Sequence, residues 1–224
     1  MIKIRKFLKK EFIPNVKNLY QIWRFGSEYG GWDVAIDEIN KDSIIYSFGI
    51  GDDATFDLAM IDKFDLTIHA FDPTPKSIDY VEKQNLPKNF IFHKYGIANF
   101  DGEVNFNPPE NPNNISHTIL DRPSTKNLAI TVPVKRLSTI MTELGHQKID
   151  VLKMDIEGAE YIVIEDLINS EIRPQQILVE IHHRFKNFGV RKTKKAIKKL
   201  KKIGYSLFSV SNSFDEFCFI YKSN

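Results

Sequence analysis

Cysteine is nearly missing from this chain. Cys218 stands alone, so no intrachain disulfide can form, and its place in the apolar run FCFIY marks it as a core thiol, not a nucleophile. Long apolar runs are missing too, which leaves no segment suited to spanning a bilayer. The N-terminal MIKIRKFLKKEF is basic, but lysines break up its apolar residues, so the continuous apolar stretch of a secretory signal is absent and a cytoplasmic, reducing setting is the expectation. Charge of one sign is not in excess: 31 basic and 29 acidic residues leave a net charge of +2, which argues against a general affinity for nucleic acid. There are no repeats and no low-complexity linker. What is present is 42% hydrophobic and 27% charged residues over 224 positions, enough for one sizeable core without metals or disulfides.

The pattern along the chain alternates. Residues 4 to 25 mix apolar and basic positions and predict one or two short helices. RFGSEYGGW reads as a glycine loop and residues 34 to 39 as another short helix, giving an N-terminal helical extension over 1–40. From residue 41 onwards strands and helices follow one another: SIIYSFGIG, DLTIHAFD, NFIFHKYGIA, KIDVLKMD and QQILVEIHH read as strands, separated by amphipathic helical segments. Such alternation predicts right-handed crossovers and a mostly parallel sheet. YSLFSV and EFCFIYK, joined by SNSFD, add an antiparallel C-terminal hairpin. The fold class is therefore α/β, a doubly wound Rossmann-like domain over 41–224.

Ligands of such sheets bind beyond the carboxyl ends of the strands. The first strand ends in SFGIGDD, where Gly49 and Gly51 allow a tight turn and close backbone approach to a ligand. The second ends in HAFDP, with Asp72 placed to accept hydrogen bonds from the ribose hydroxyls of an adenosine. Asp52 and Asp53 at the mouth of the glycine turn would repel a pyrophosphate and suit a cationic ligand. S-Adenosylmethionine, with a sulfonium and an ammonium, fits that description. A nicotinamide-dinucleotide-dependent oxidoreductase and a noncatalytic, membrane-associated binding module of the same fold are the alternatives.

These residues carry a resemblance. IDVLKMDIEGAEYIVIEDL, FDPTPKSI, YGGW and VEIHH resemble the FkbM-type family of class I S-adenosylmethionine-dependent methyltransferases, over roughly residues 29 to 221. The resemblance implies a seven-stranded sheet whose last strand is antiparallel, and O-methylation of a hydroxyl, often on a sugar or polyketide. By position it implies that Gly49 and Gly51 line the methionine part of the donor, that Asp72 binds ribose and that Gly96 to Ala98 border adenine. The chain departs from the family's usual first motif at Ser47 and Asp53, which makes Asp53 or Asp57 the candidate for the missing charge.

Asp155 then ends the fourth strand beside the transferred methyl, and Glu180 and His182 share a face at the end of the fifth. His182 or Asp155 is expected as general base, with Glu180 beside them. Asp155 and Glu180 are candidate ligands for Mg²⁺ or another divalent cation. Glu157 and Glu160 fall in the first turn of the following helix, where capping suits Glu160. The long Pro/Asn/Ser-rich segment 107–128 is a candidate acceptor loop, with His117 and Arg122 as contacts; Trp32 and His183 complete the expected acceptor contacts. The helix around 191–202 carries one apolar stripe and a surround of lysines, a solvated face whose charge also suits peripheral attraction to anionic membrane.

Overall fold

The computed structural model describes residues 19–110, 117–120, 122–183 and 189–222. The chain opens with two short strands, β1 (Ile22–Phe25) and β2 (Trp32–Ala35), paired antiparallel across the Gly26–Gly31 loop. This corrects the expected helices at 22–25 and 34–39; the rest of the proposed helical extension, residues 1–18, lies outside the described residues. Gly26 at φ +97° turns the chain so that Phe25 faces Trp32 in register. The Gln176 side chain then grips both the N–H and the C=O of Ala35, at 2.9 and 2.7 Å, and pins the hairpin to the main sheet. Nonlocal pairing and a buried amide outweigh a weak helical pattern.

From there β3 (Ile45–Phe48), α1 (Thr55–Phe64), β4 (Ile68–Phe71), α2 (Pro75–Lys83) and β5 (Phe90–His93) alternate as the sequence predicts. Pro75 occupies the first turn of α2, where its missing N–H costs nothing. A small separate sheet follows, in which β6 (Gly96–Ile97) and β7 (Gly102–Phe106) flank β8 (Ile130–Lys135). Then come α3 (Leu137–Leu144), β9 (Val151–Met154), α4 (Glu160–Asn169), β10 (Gln176–Glu180), α5 (Gly189–Lys202), β11 (Tyr205–Val210) and β12 (Glu216–Tyr221).

The main sheet has seven strands in the order β11-β12-β10-β9-β3-β4-β5. β9, β3, β4 and β5 pair parallel, as do β10 and β9, whereas β12 runs antiparallel to both of its neighbours, β10 and β11. The last strand in sequence is thus wedged between two earlier ones. Strands β3, β4 and β9 are buried along their whole length, as a sheet covered on both faces requires. One cluster around Phe48, Leu152, Ile164 and Phe217 and a second around Val34, Phe56, Ile68 and Cys218 fill the two sides. No helix among the described residues is long and apolar enough to cross a membrane.

Candidate active site

A cavity of about 460 Å³ opens beyond the carboxyl ends of β3, β4, β9 and β10, within the size range of small-molecule sites. Its floor is the turn after β3. Gly49 sits at φ +82° and Gly51 at φ +60°, and a Cβ on Gly49 would meet the Asp155 carbonyl oxygen at 1.8 Å, so only glycine permits this packing of β3 on β9. Gly96, Ile97, Phe48 and Phe71 give the adjoining wall its apolar part. Ala98 is not on the cavity wall; its N–H pairs with the Lys135 carbonyl at 3.0 Å, which corrects its expected place beside the adenine.

Asp72 is in the cavity lining but is 5% exposed and already engaged. Oδ2 accepts from the backbone N–H groups of Ile50 (3.0 Å) and Gly51 (3.1 Å) and from Ser77 Oγ (2.8 Å). Oδ1 accepts from Thr74 N (2.9 Å) and Thr74 Oγ1 (2.7 Å). The carboxylate therefore braces the glycine turn and the start of α2. Asp53 is similarly tied: Oδ1 accepts from Thr55 N at 2.8 Å and Oδ2 from Ser27 Oγ at 2.6 Å, which fixes the rim loop. Burial opposes its charge, but the hydrogen bonds from Ser27 and Thr55 and the charge of Lys153 hold its carboxyl below the usual range.

The acids that end the sheet converge as their spacing predicts. His182 Nε2 lies 3.3 Å from Glu157 Oε2 and 3.9 Å from both Asp155 Oδ1 and Glu180 Oε1. Its Nδ1 is 2.8 Å from Glu160 Oε1. Asp155, Glu157 and His182 form a group whose ligand atoms all lie within 4.8 Å of one another. The turn that achieves this is strained: Glu157 takes φ +52°, outside the usual range of a residue with a Cβ, and Gly158 φ +104°. Glu160 is fully buried and does more than cap α4. Its Oε1 also accepts from Ile156 N (3.3 Å) and Gly158 N (3.1 Å), so one oxygen holds both the strained turn and the imidazole.

Electrostatics separates the roles. Burial alone would lower the His182 pKa, but the hydrogen bond to Glu160 and the charges of Glu160, Glu157 and Asp155 raise it to about 10. His182 is not among the cavity-lining residues, which corrects the expectation of His182 as base. Burial pushes the Asp155 carboxyl up against the pull of Lys153 and His182, and burial together with the Asp155 charge brings Glu180 to about 8. Asp155, Glu157 and Glu180 all line the cavity.

Of the expected acceptor contacts, Trp32 and His117 line the cavity and Arg122 does not. The segment carrying His117 is fastened to the site, because Thr118 Oγ1 donates to the Glu157 carbonyl oxygen and Thr118 pairs with Asn107 as an isolated bridge. Residues 111–116 and 121 of that expected loop lie outside the described residues. His183 is buried with Nδ1 3.2 Å from the Ile181 carbonyl oxygen and 3.5 Å from Asp215 Oδ1, away from the cavity lining, so its acceptor role is also corrected. Two contributions were missed. Asp215 and Glu216 close the wall from the β11–β12 connection and the start of β12. Lys153, in the middle of β9, lines the cavity while 5% exposed. Its signal was present: a lysine interrupting VLKM, a strand otherwise suited to full burial.

Compared with known proteins, residues 44–207 match the methyltransferase FkbM domain. The chain is 31% identical over 170 residues to the probable methyltransferase-like protein 24 of Homo sapiens, covering 71% of this chain and 40% of that protein. It is 27% identical over 176 residues to the hexuronic acid methyltransferase AglP of Haloferax volcanii, covering 75% of this chain and 69% of that one. The chain thus spans about two fifths of the human protein's length. A crystal structure of methyltransferase FkbM from Methylobacillus flagellatus superposes with a TM-score of 0.52 at 12% identity, covering 82% of this chain and 44% of that chain; this likeness is one of fold.

Proposed function

The chain belongs to the FkbM methyltransferase family, and on that premise we propose that it transfers a methyl group from S-adenosylmethionine to a hydroxyl of a sugar, in a glycan or a small glycoside. The observation that carries this reading is the cavity itself: a glycine turn at one end, Asp155, Glu157 and Glu180 at the other, in one space of about 460 Å³. Acidic walls favour a cationic donor over a pyrophosphate, which speaks against the dinucleotide alternative. The sugar acceptor is supported by the name of the archaeal relative, a hexuronic acid methyltransferase.

When bound, the donor supplies an electrophilic methyl carbon on a sulfonium that leaves as a neutral thioether. The residues of this chain do the rest. The turn at Gly49 and Gly51 admits the methionine part, with its backbone held by Asp72, and Gly96 and Ile97 border the adenine. Trp32 and His117 contact the acceptor. Its hydroxyl oxygen forms the new bond to the methyl carbon as the carbon–sulfur bond breaks, and its proton passes to the ionised member of the Asp155–Glu180 pair. A divalent cation such as Mg²⁺ or Mn²⁺ also fits. Asp155 Oδ1 is buried and accepts no hydrogen bond from the described residues, and Glu160 holds Nδ1 of His182 as carboxylates hold metal-bound imidazoles. Asp155, Glu157 and the His182 ring, after release of its proton, would hold the ion, and its chemistry would be to lower the pKa of the acceptor hydroxyl and fix its direction.

Calorimetry with S-adenosylhomocysteine and with NAD tests the donor. Binding of the first and not the second is expected, and the reverse ends the reading. Transfer of labelled methyl to a panel of glycosides tests the acceptor. In that assay Asp155→Asn is expected to lower turnover roughly 100-fold or more. Full turnover by both Asp155→Asn and Glu180→Gln would remove their assignment, and turnover unchanged by a chelator would remove the cation.

A further inference from the structure

Lys153 is one of the cavity residues that the sequence reading left without a task. It sits in β9 opposite Ser47 of β3, and its ammonium donates to the Gly49 carbonyl oxygen at 2.8 Å. That is the one hydrogen bond the described residues give it, although an ammonium has three donors. The Asp57 carboxylate and the Ser47 hydroxyl are buried nearby, and neither bonds to the Lys153 ammonium. The charge of Lys153 acts on both Asp57 and Asp53.

The decisive contrast is with the rest of the wall. Nine aspartates and glutamates line the cavity, and Lys153 is its one lysine or arginine among the described residues. A ligand carboxylate entering this space would be repelled almost everywhere and attracted at one point, beside the glycine turn. Asp53, Asp57 and Asp155 offset the desolvation of this ammonium, and the N–H donors that Gly49 does not take are the ones a ligand carboxylate can accept from. The donor proposed above carries an amino-acid group at its methionine end: an ammonium, for which Asp53 stands next to the turn, and a carboxylate, for which the acidic wall offers no partner.

We infer that Lys153 is the anchor for the carboxylate of the donor's methionine moiety, and that it selects an intact amino-acid end on the cofactor. The inference rests on the S-adenosylmethionine reading and deepens it. Lys153 acts here by binding, while its bond to Gly49 keeps the turn in place.

The test compares two ligands by calorimetry: S-adenosylhomocysteine, and 5′-methylthioadenosine, which keeps the adenosine and the thioether but lacks the amino-acid end. The wild-type chain is expected to bind the first at least 30-fold more tightly. Lys153→Met is expected to weaken S-adenosylhomocysteine at least tenfold and methylthioadenosine less than twofold, and Lys153→Arg to restore part of the difference. Equal loss of both ligands in Lys153→Met would mean that the lysine only shapes the turn, and the inference fails. It fails as well if S-adenosylhomocysteine binds Lys153→Met as tightly as the wild type. Wild-type binding of neither nucleoside would instead overturn the donor reading itself, a result distinct from both.

Discussion

Gly49 leaves no room for even a methyl group. Its φ of +82° and the 1.8 Å approach of an added Cβ to the Asp155 carbonyl oxygen combine strain with a backbone clash. Gly49→Ala is therefore expected to destabilise the fold by about 3 kcal/mol or more, read as a lowered urea midpoint. An unchanged midpoint would show that β3 and β9 part easily. The presence of a glycine at that point was legible in the sequence, and so was an acid at Asp72. What was not legible was how that acid spends its oxygens. Five donors from Ile50, Gly51, Thr74 and Ser77 converge on it, and a string of letters does not show that two backbone N–H groups 21 and 22 residues earlier point at one carboxylate. Asp72→Ala leaves those donors buried without their acceptor. We expect a loss of about 3 kcal/mol in the same denaturation experiment, along with loss of nucleoside binding as the turn loosens. Lys153 escaped notice for the opposite reason: its neighbours in sequence made the strand look uniformly apolar.

Among the elements, the parallel strands and their helices were readable because burial on both faces writes continuous apolar runs. The N-terminal hairpin was not, since β1 and β2 have only 4 residues each and depend on a distant glutamine for their hold. Cys218 is buried in β12 as its surroundings predict, and burial pushes its thiol pKa well up. A pairing between strands that no local pattern announces joins histidines. His69 of β4 and His93 of β5 lie with Nδ1 and Nε2 3.0 Å apart, and His146, after α3, meets the Tyr46 hydroxyl at 2.7 Å while its ring packs edge-on against His69. Burial first, and then the neighbouring histidines, lower the His69 pKa to about 4; burial lowers His93 and His146 too. A depressed folded-state pKa gives stability that is complete above the ordinary histidine value near 6.5 and is lost as pH falls from there toward 4. Thermal melts across that window should show a steep acid decline, shallower in His69→Gln. Equal slopes for the two proteins would refute the histidine origin of that decline.

Across the molecule, the mostly parallel sheet and the antiparallel pairing of β11 with β12 follow from alternation and the terminal hairpin, whereas the strand order, with β12 between β10 and β11, depends on pairings between segments far apart in sequence. The stripe of α5 faces inward through Thr193, Ala196, Ile197 and Leu200, leaving Arg191, Lys194, Lys195 and Lys198 exposed. Lys199 pairs with Glu165 and Lys192 lies over the Tyr161 ring, so part of the positive charge is spent on α4. At the start of the helix Gly189 N–H donates to the His183 carbonyl oxygen at 3.1 Å. If the exposed lysines meet anionic lipid, the chain should sediment with phosphatidylserine vesicles at low salt and not with phosphatidylcholine vesicles. Replacing Lys194, Lys195 and Lys198 by glutamine should abolish that sedimentation. Equal recovery with both vesicle types, or no effect of the triple change, would assign the lysines to solvation alone.

The wedged position of β12 has an outcome for biogenesis. A nascent chain would have the side of the cavity built on β3, β4 and β9 made while the flank bearing Asp215 and Glu216 was still unmade, and β11 would wait without its sheet neighbour. The crevice would stay open-sided until β12 inserted.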